Sequence, residues 1–541
     1  MLIHSFPVAF LLSNSAFEQI KRNLFDDTFA GIHQLAWFDW AILVPYFTVL
    51  GILSFYGLHR YEMIRGYYKH RKNRKMEPAA RFAELPPVTI QLPLFNERFV
   101  VERLIEETCK MDYPRHLLQI QVLDDSTDET HPFTESLVAS YRAMGHPIEY
   151  HHRTNRQGYK AGALHEGLKS AAGEMVALFD ADFLPPSDFL QRTIHYFSDE
   201  KVGVVQTRWT YLNRGYNLLT EVQTMLLDGH FVLEHGARSK GGLFFNFNGT
   251  AGMLRKKMIE DAGGWQHDTL TEDSDLSYRA QLKGWKFVYV PEIECPSELP
   301  VDMYGFQVQQ SRWAKGLTQC AIKLLPRIMK ADLPWRVKLE AVCHLTPNIS
   351  YPMMILVSAL MLPVMIVRFY MGWLQMLVID MPLIIASFWS ISAFYMISQR
   401  ELYPRTWKRS FLYLPALMAA GVGLTISNTK AVMEALLGVQ TSFARTPKYA
   451  IRSSERVKIG QSAYRRKSGS LPFIEIAFGT YFLAMVWYAI DTYNFLSIPF
   501  LSLFVFGYYW AGFSTLWQEY QNKLQWQRQL EKDHSLTVVA R

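Results

Sequence analysis

The fold is decided by the stretch Val176-Ala177-Leu178-Phe179-Asp180-Ala181-Asp182, where an apolar run ends in two carboxylates two residues apart. If a buried strand continues through both acids, Asp180 and Asp182 project to the same side of the sheet. Two carboxylates can hold a divalent cation that completes its shell with water and phosphate oxygens. A turn after the strand is the alternative, because Asp favours turns and Pro185-Pro186 follow closely.

The sequence around this stretch alternates between strand-like and helical patterns. Between residues 87 and 345 no segment is long and apolar enough to span a membrane, and strand-like runs begin at Val88, Leu118, Pro147 and Met175. Such alternation predicts a parallel, doubly wound α/β sheet whose ligands lie beyond the carboxyl ends of the strands.

The composition indicates membrane segments in addition to this domain. Of the 541 residues, 49% are hydrophobic and 14% aromatic, which is high for a purely soluble chain. Four widely spaced cysteines, with no Cys-x-x-Cys pair, argue against a zinc site and a disulfide framework. The net charge of +7 is concentrated beside apolar segments, and we expect no nucleic-acid partner.

Five apolar segments are predicted to cross the bilayer: residues 37–58, 349–369, 374–397, 474–490 and 495–517. Residues 59–75 carry seven Lys and Arg against one Glu, and residues 441–470 carry eight against one, so both are predicted to be cytoplasmic. If residues 411–426 crossed the membrane, the second basic loop would lie outside, so we predict a re-entrant or interfacial segment there.

This topology divides the chain into eight parts. They are an extracytoplasmic segment (1–36), a transmembrane helix (37–58), a basic linker (59–86), the α/β domain (87–345), two transmembrane helices with the re-entrant segment (346–440), a basic cytoplasmic loop (441–471), two further transmembrane helices (472–517) and a cytoplasmic tail (518–541). The predicted location is therefore a cell membrane, plasma or inner, crossed several times, with the α/β domain cytoplasmic.

Two further motifs fall where a nucleotide could bind. Asp124 ends the strand that begins at Leu118, and its side chain could bond a base or ribose, although an Asp-rich turn is an equal alternative. Arg156 and Lys160 lie beside glycines that permit a close backbone approach, and both could neutralise phosphate, although a helix start bounded by glycine is the alternative.

Three motifs lie further along the domain. Asn248-Gly249 could place backbone against a sugar, or form a plain turn. Thr271-Glu272-Asp273 puts acids ahead of a helical pattern, where the helix dipole alone would favour them. On a helix, Gln309, Arg312 and Trp313 share one face and offer a hydrogen bonder, a phosphate clamp and a flat sugar platform. A tryptophan that only fills the core is the alternative, which the adjacent arginine disfavours.

Together these motifs resemble those of family-2 inverting, processive glycosyltransferases of the cellulose synthase superfamily. The resemblance is strongest to the plant cellulose synthase-like A and C groups, which make mannan or glucomannan and the xyloglucan backbone. The residues that carry it are Leu123-Asp-Asp-Ser-Thr-Asp128, Gly158-Tyr-Lys-Ala-Gly-Ala-Leu164, Phe179-Asp-Ala-Asp-Phe183, Phe247-Asn-Gly-Thr-Ala-Gly252, Thr271-Glu-Asp273, Gly284-Trp-Lys-Phe287 and Gln309-x-x-Arg-Trp313. It implies a GT-A, Rossmann-like nucleotide-sugar-binding domain within a helical multi-pass membrane domain.

The resemblance also implies a role for each matched residue. Asp273 would be the catalytic base, and Asp182, assisted by Asp180, would hold Mg²⁺ or Mn²⁺. The donor nucleotide would contact Asp124, Lys160, Asp180 and Arg312, and the acceptor would contact Gln309, Trp313, Asn248 and Gly249. Thr446 and Lys448 would belong to a gating loop, in which Arg445 replaces the valine found in cellulose synthases.

The implied activity is transfer of a sugar from GDP-mannose or UDP-glucose to a growing β-1,4-linked polysaccharide, which the membrane helices would translocate. One alternative is a non-processive transferase with a lipid acceptor, which needs the same acids. The other is a transport or scaffolding protein with a degenerate domain, which the intact acids disfavour. Neither the donor sugar nor accessory subunits can be inferred from the sequence.

Overall fold

The computed structural model describes residues 34–71, 77–369, 381–441, 445–446, 448–451, 469–492 and 494–539. Most of the predicted N-terminal segment (1–36), most of the basic loop (441–471) and part of the predicted span 374–397 lie outside the described residues. The two residues predicted for the gating loop, Thr446 and Lys448, lie inside them.

A seven-stranded sheet forms the centre of the domain. Its strands are β1 (Val88–Leu94), β2 (Leu118–Asp124), β3 (Ile148–His152), β4 (Met175–Leu178), β5 (Val202–Tyr211), β6 (Gly252–Arg255) and β7 (Lys286–Ser297). The order is β3-β2-β1-β4-β6-β5-β7. The predicted all-parallel sheet is wrong in one respect, because β6 runs antiparallel to both β4 and β5. The sheet is therefore mixed.

Helices cover both faces of this sheet. The helix α1 (Trp37–His70) precedes the domain. The helices of the domain are α2 (Val101–Cys109), α3 (Thr130–Ala143), α4 (Tyr159–Ser170), α5 (Phe189–Ile194), α6 (Leu218–Gly229), α7 (Gly236–Lys240), α8 (Lys256–Asp261), α9 (Glu272–Leu282), α10 (Met303–Lys330) and α11 (Trp335–Leu345). One buried cluster joins α2, α3 and α5 to the sheet, and a second joins α4, α8 and α9 to it. The domain has three layers, as the alternation predicts.

The strand order places a crevice at the carboxyl ends of β1 and β4. After β1 the chain turns towards β2, whereas β4 lies on the opposite side of β1, so the connections diverge at this point. Such a divergence opens a ligand crevice in α/β sheets. Glu97 follows β1 there, and Asp180 and Asp182 follow β4.

The remaining helices are α12 (Ser350–Phe369), α13 (Met381–Ile384), α14 (Ser390–Leu402), α15 (Leu414–Gly423), α16 (Thr425–Leu436), α17 (Leu471–Asp491) and α18 (Ile498–Val539). Among the described residues, three stretches are long and apolar enough to cross a membrane: Trp37–His70, Pro347–Arg368 and Leu471–Asp491. They match three of the five predicted spans. The helix α1 also continues through the first half of the predicted basic linker.

The segment predicted to be re-entrant forms a bent pair of helices. The stretches Trp407–Gly423 and Thr425–Leu436 meet at 40°, which fits either a broken span or a re-entrant loop. The number of crossings and the side of the membrane on which the domain lies stay predictions.

Candidate active site

The two acids of the opening stretch lie in a turn and not in a strand. The strand β4 ends at Leu178, so strand alternation does not orient Asp180 and Asp182, and the expectation that it does is wrong. The backbone N–H of Asp180 donates to Thr250 Oγ1 at 2.8 Å, and that of Phe183 donates to the Asp180 carbonyl at 3.0 Å. The turn alternative is the one that the structure adopts.

Lys160 lies between three parts of the site: Asp180, Gly249 and Glu272. It lies in the first turn of α4, and its ammonium donates to Asp180 Oδ1 at 2.5 Å and to the Gly249 carbonyl at 2.8 Å, with Glu272 Oε1 4.0 Å away. Burial opposes the charge of Lys160, but Asp180 and Glu272 outweigh it and raise its pKa. The ammonium predicted to contact the donor nucleotide therefore holds an acid of the turn.

Asp273 lies in the first turn of α9, against the backbone of Gly249. Gly249 has φ +80, and a Cβ added to it would lie 2.8 Å from Asp273 Oδ2, so a side chain there would collide with the carboxylate. Asp273 Oδ1 accepts the backbone N–H of Ser274 at 2.6 Å. Burial, and then the negative charge of Glu272, raise the pKa of Asp273 to about 7. A carboxyl with this pKa can accept a proton near neutral pH.

The helix α10 brings Arg312 to the same cleft. Its N-terminus is capped by Asp302, whose side chain accepts the Gly305 N–H at 2.6 Å. Burial lowers the pKa of Arg312, while Glu272, Asp180, Asp273 and Asp182 act against this in that order. The guanidinium therefore lies within the field of all four acids.

The neighbours of Arg312 on this helix are also accessible. Gln309 and Trp313 are partly exposed, and their role at a ligand stays a prediction.

Asp124 is fully buried at the end of β2, and its carboxylate is already bonded. Oδ1 accepts the Ser126 N–H at 2.8 Å, and Oδ2 accepts the Tyr150 hydroxyl at 2.6 Å. The rings of His131 and His152 stack beside it with centroids 3.9 Å apart. One potential metal-ligand atom from each of Asp124, His131 and His152 lies within 4.8 Å of the other two. The sequence had not indicated these histidines.

Asn248 contacts a histidine pair that sequence reasoning missed. Its Oδ1 accepts from Asn246 Nδ2 at 2.7 Å and lies 3.1 Å from His235 Nε2, while its Nδ2 lies 3.3 Å from His230 Nε2. Both histidines belong to a π-helical segment, His230–His235. Such segments often occur at functional sites, but no sequence pattern predicted this one.

Of the two residues predicted for the gating loop, Lys448 contacts the cleft. The Lys448 ammonium donates to Asp182 Oδ2 at 2.6 Å and to the Glu298 carbonyl at 2.6 Å. Thr446 is buried, and its hydroxyl has no hydrogen-bond partner within the described ranges. Beside it, Arg445 donates to the Phe95 carbonyl at 2.9 Å, and the Arg156 guanidinium lies 3.2 Å over the Phe95 ring.

Glu97 is a further acid of the cleft that sequence reasoning did not assign. Burial raises its pKa to about 7, although Arg445, 3.6 Å away, acts in the opposite direction. The negative charges of Asp182 and Asp180 also contribute to the shift. Its position immediately after β1 was the available signal, since ligands gather at strand ends.

The carboxylate oxygens of the turn after β4 suit a hard divalent cation. Asp180 and Asp182 offer only carboxylate oxygens, which Mg²⁺ and Mn²⁺ prefer. Each of these carboxylates is in contact with a lysine ammonium, so both stabilise a cationic group in this structure. The residues present therefore fit the predicted metal.

Comparison with known proteins gives a consistent assignment. Residues 86–316 match the family described as glycosyltransferase-like family 2. Probable glucomannan 4-beta-mannosyltransferase 11 of Oryza sativa subsp. japonica is 45% identical over 250 residues, which are 45% of this chain and 44% of that protein. Glucomannan 4-beta-mannosyltransferase 9 of Arabidopsis thaliana is 42% identical over 271 residues, which are 48% of this chain and 51% of that protein. The chain spans about half the length of the curated relatives that it matches.

Among solved structures, the chain is similar to the mannosyltransferase PcManGT of Pyrobaculum calidifontis in complex with GDP-Man and Mn²⁺. The TM-score is 0.47 and the identity 22%, over 66% of this chain and 99% of that one. S. aureus TarS matches with a TM-score of 0.34 and 14% identity, over 65% of this chain and 54% of that one.

The family match covers all seven strands of the mixed sheet, the turn that carries Asp180 and Asp182, Asp273, and α10 as far as Gly316. This region has the GT-A glycosyltransferase fold that the motifs predict. Residues 86–316 of this chain are therefore a glycosyltransferase family 2 domain, similar to those of plant glucomannan 4-beta-mannosyltransferases of the cellulose synthase-like A group.

Proposed function

We propose that the chain is a membrane-embedded, inverting hexosyltransferase that adds mannosyl units from GDP-mannose to a growing β-1,4-linked polysaccharide. UDP-glucose is the second donor compatible with the motifs. The observation that carries the proposal is the convergence of Asp273, Lys160, Arg312 and the acid turn on one cleft. The names of the curated relatives favour mannose over glucose.

The chemistry proposed for this cleft is a single displacement. The hydroxyl oxygen of the acceptor forms a bond to the anomeric carbon of the donor, while the bond from that carbon to the diphosphate breaks. Asp273 accepts the hydroxyl proton, and the nucleoside diphosphate leaves with the electron pair. This attack from the opposite face inverts the anomeric configuration and needs no covalent enzyme intermediate.

The other residues have roles that follow from their charge. Asp182, with Asp180, would hold Mg²⁺ or Mn²⁺, which when bound neutralises charge on the departing diphosphate. Arg312 would bind the same diphosphate from α10, and Trp313 would stack the terminal sugar of the acceptor. Asp124 would bind the nucleotide at the end of β2. Burial, and then the negative charge of Glu272, keep the pKa of Asp273 high, because both oppose ionisation of this carboxyl.

The membrane segments give the polymer a route out of the cell. The domain would lie on the cytoplasmic side, where nucleotide sugars are made, and the spans would carry the growing chain across the bilayer. The three apolar helices support membrane insertion, and the two basic segments support the orientation.

An assay of the purified protein should identify the donor and the product together. Detergent-purified chain is incubated with radiolabelled GDP-mannose or UDP-glucose plus Mn²⁺ or Mg²⁺, and the product is digested with linkage-specific glycanases. We expect incorporation from GDP-mannose into a polymer that β-1,4-mannanase degrades. Label that partitions into the organic phase as a glycolipid would contradict the polysaccharide proposal.

Asp273→Asn should lower kcat about 10²- to 10⁴-fold, the usual contribution of general base catalysis. Binding of GDP-mannose, measured by calorimetry, should change little, because the amide has the size of the carboxylate. Asp261→Asn, on the exposed end of α8, is the control that removes one acid outside the cleft. Polymerisation by Asp273→Asn within tenfold of the wild-type rate would exclude Asp273 as the base.

The pH dependence of kcat/KM should report the raised pKa of Asp273. Because the base must be ionised, kcat/KM should fall as the pH drops through about 7. Glu272→Gln removes the like charge that raises this pKa, so the acidic limb should move to lower pH. The exposed Glu260→Gln should leave it in place. An unchanged acidic limb in Glu272→Gln would show that another group controls it.

A further inference from the structure

The carboxamide of Asn248 is held by three side chains beside the candidate active site. Its Oδ1 lies 3.1 Å from His235 Nε2 and accepts from Asn246 Nδ2 at 2.7 Å. Its Nδ2 lies 3.3 Å from His230 Nε2. Because a carboxamide has an accepting end and a donating end, these three partners can fix which end faces each of them. The single displacement proposed above gives this side chain no role.

The π-helical segment His230–His235 brings both histidines to Asn248. An α-helix turns by about 100° per residue, so residues five apart on it differ by about 140° and face different neighbours. In a π-helix the backbone bonds join residues five apart, which places such residues close to one face. The ring centroids of His230 and His235 are 4.3 Å apart. The unusual helix therefore lets the two imidazoles reach the two ends of one carboxamide.

Glu234 determines which nitrogen of His230 carries the proton. The His230 Nδ1 lies 2.9 Å from Glu234 Oε2, and the Glu234 carboxylate is held by Arg238, which also donates to Glu340. Burial opposes the charge of Glu234, but Arg238 and then His230 outweigh it and hold its pKa well below its usual range. An ionised carboxylate can only accept, so Nδ1 of His230 is the donor, and Nε2 of the neutral ring accepts the N–H of Asn248.

His235 faces the other end of the carboxamide as a donor. It is fully buried, and burial, the largest cause, lowers its pKa well below the usual value, so the ring is neutral. Its Nδ1 has no hydrogen-bond partner among the described residues. The Asn246 Nδ2 is fixed as a donor by the Phe247 carbonyl, so a reversed carboxamide would bring two donors, Asn248 Nδ2 and Asn246 Nδ2, into contact. His235 Nε2 therefore carries the proton and donates to Asn248 Oδ1.

One donor of Asn248 is left over. Its Oδ1 accepts two hydrogen bonds and its Nδ2 donates one to His230, so the second Nδ2–H makes no bond to the described part of the chain. Asn248 is partly exposed, and the backbone of the next residue, Gly249, lies against the Asp273 carboxylate. We propose that this N–H donates to a hydroxyl oxygen of the terminal acceptor sugar, and that His230 and His235 are positioning residues that hold it ready. The proposal rests on the proposed function, which places the acceptor at Asp273.

Holding the donor in place before the sugar arrives favours binding of the acceptor in its reactive position. A carboxamide that could turn freely would present either oxygen or nitrogen to the sugar, and ordering it would oppose binding. A fixed N–H selects one orientation of the sugar, which keeps the attacking hydroxyl within reach of Asp273. The two histidines should therefore affect use of the acceptor and leave binding of the nucleotide unchanged.

Acceptor kinetics of the detergent-purified full chain test this role. The rate of transfer from saturating GDP-mannose with Mn²⁺ is measured against the concentration of β-1,4-mannohexaose, and binding of GDP is measured by calorimetry. His230→Ala should lower kcat/KM for the mannohexaose about tenfold, the effect of one net hydrogen bond, at an unchanged Kd for GDP. His146→Ala is the matched control, because it removes a partly exposed histidine before β3, at the opposite edge of the sheet. Equal kcat/KM values for His230→Ala and the wild-type chain would overturn the proposal.

Conservative variants distinguish positioning from a loss of folding. The amide of His230→Gln can donate to Glu234 and accept from Asn248, so this variant should recover most of the kcat/KM that His230→Ala loses. His235→Gln, which keeps a donor, should likewise have a higher kcat/KM than His235→Leu. An equal loss in His230→Gln and His230→Ala would contradict the positioning role.

A double variant shows whether His230 acts through Asn248. Asn248→Ala should itself lower kcat/KM for the mannohexaose, and His230→Ala in that background should add no further loss. Losses that multiply would overturn the proposal. A wild-type chain that binds GDP but transfers neither mannose nor glucose to any acceptor would overturn the proposed function as well. A wild-type chain that transfers sugar, with His230→Ala equal to it, would overturn the positioning role alone.

Discussion

Repulsion between carboxylates is the constraint on which this site depends. The acids that gather at the crevice are Glu97, Asp180, Asp182, Glu272 and Asp273. Two like charges 4 Å apart repel by about 4 kcal/mol at an effective dielectric constant of about 20. The structure places four cationic side chains among the acids: Lys160, Lys448, Arg312 and Arg445. Burial first, and then neighbouring carboxylates, also raise the pKa of Glu97 and Asp273 to about 7, so these two acids carry less charge near neutral pH. Under the proposed function, this surplus of acid would both bind a cation and supply a base.

The position of Arg312 and Trp313 depends on the helices that follow the domain as well as on the domain itself. The helix α10 is bonded to helices that follow the domain in sequence, through Lys315 to Glu434 at 2.8 Å and through Gln307 to Glu475 at 2.8 Å. Both contacts are buried on the α10 side. Arg312 and Trp313 are therefore positioned by contacts with helices that lie outside the family match as well as by the matched region.

Local patterns in the sequence were enough to predict the strands β1 to β4, the helix that carries Gln309, and the gathering of acids at one sheet edge. They could not predict that β6 is antiparallel, because Gly252–Arg255 is a four-residue strand with no alternation. The contacts of Lys448 with Asp182 and of Tyr449 with Glu298 were also beyond local reasoning, since they join positions at least 150 residues apart. The end of β4 at Leu178 was missed for a different reason, because Phe179 continues the apolar run beyond the last hydrogen-bonded residue.

The central claim is a single displacement in which Asp273 accepts the proton of the acceptor hydroxyl. The anomeric configuration of the bond formed from GDP-α-mannose tests it most directly, because one displacement inverts the carbon and two restore it. The one-bond carbon–hydrogen couplings of product made from ¹³C-labelled donor distinguish the two anomers by NMR. The account predicts β-mannosyl linkages only, and α-mannosyl linkages would contradict it.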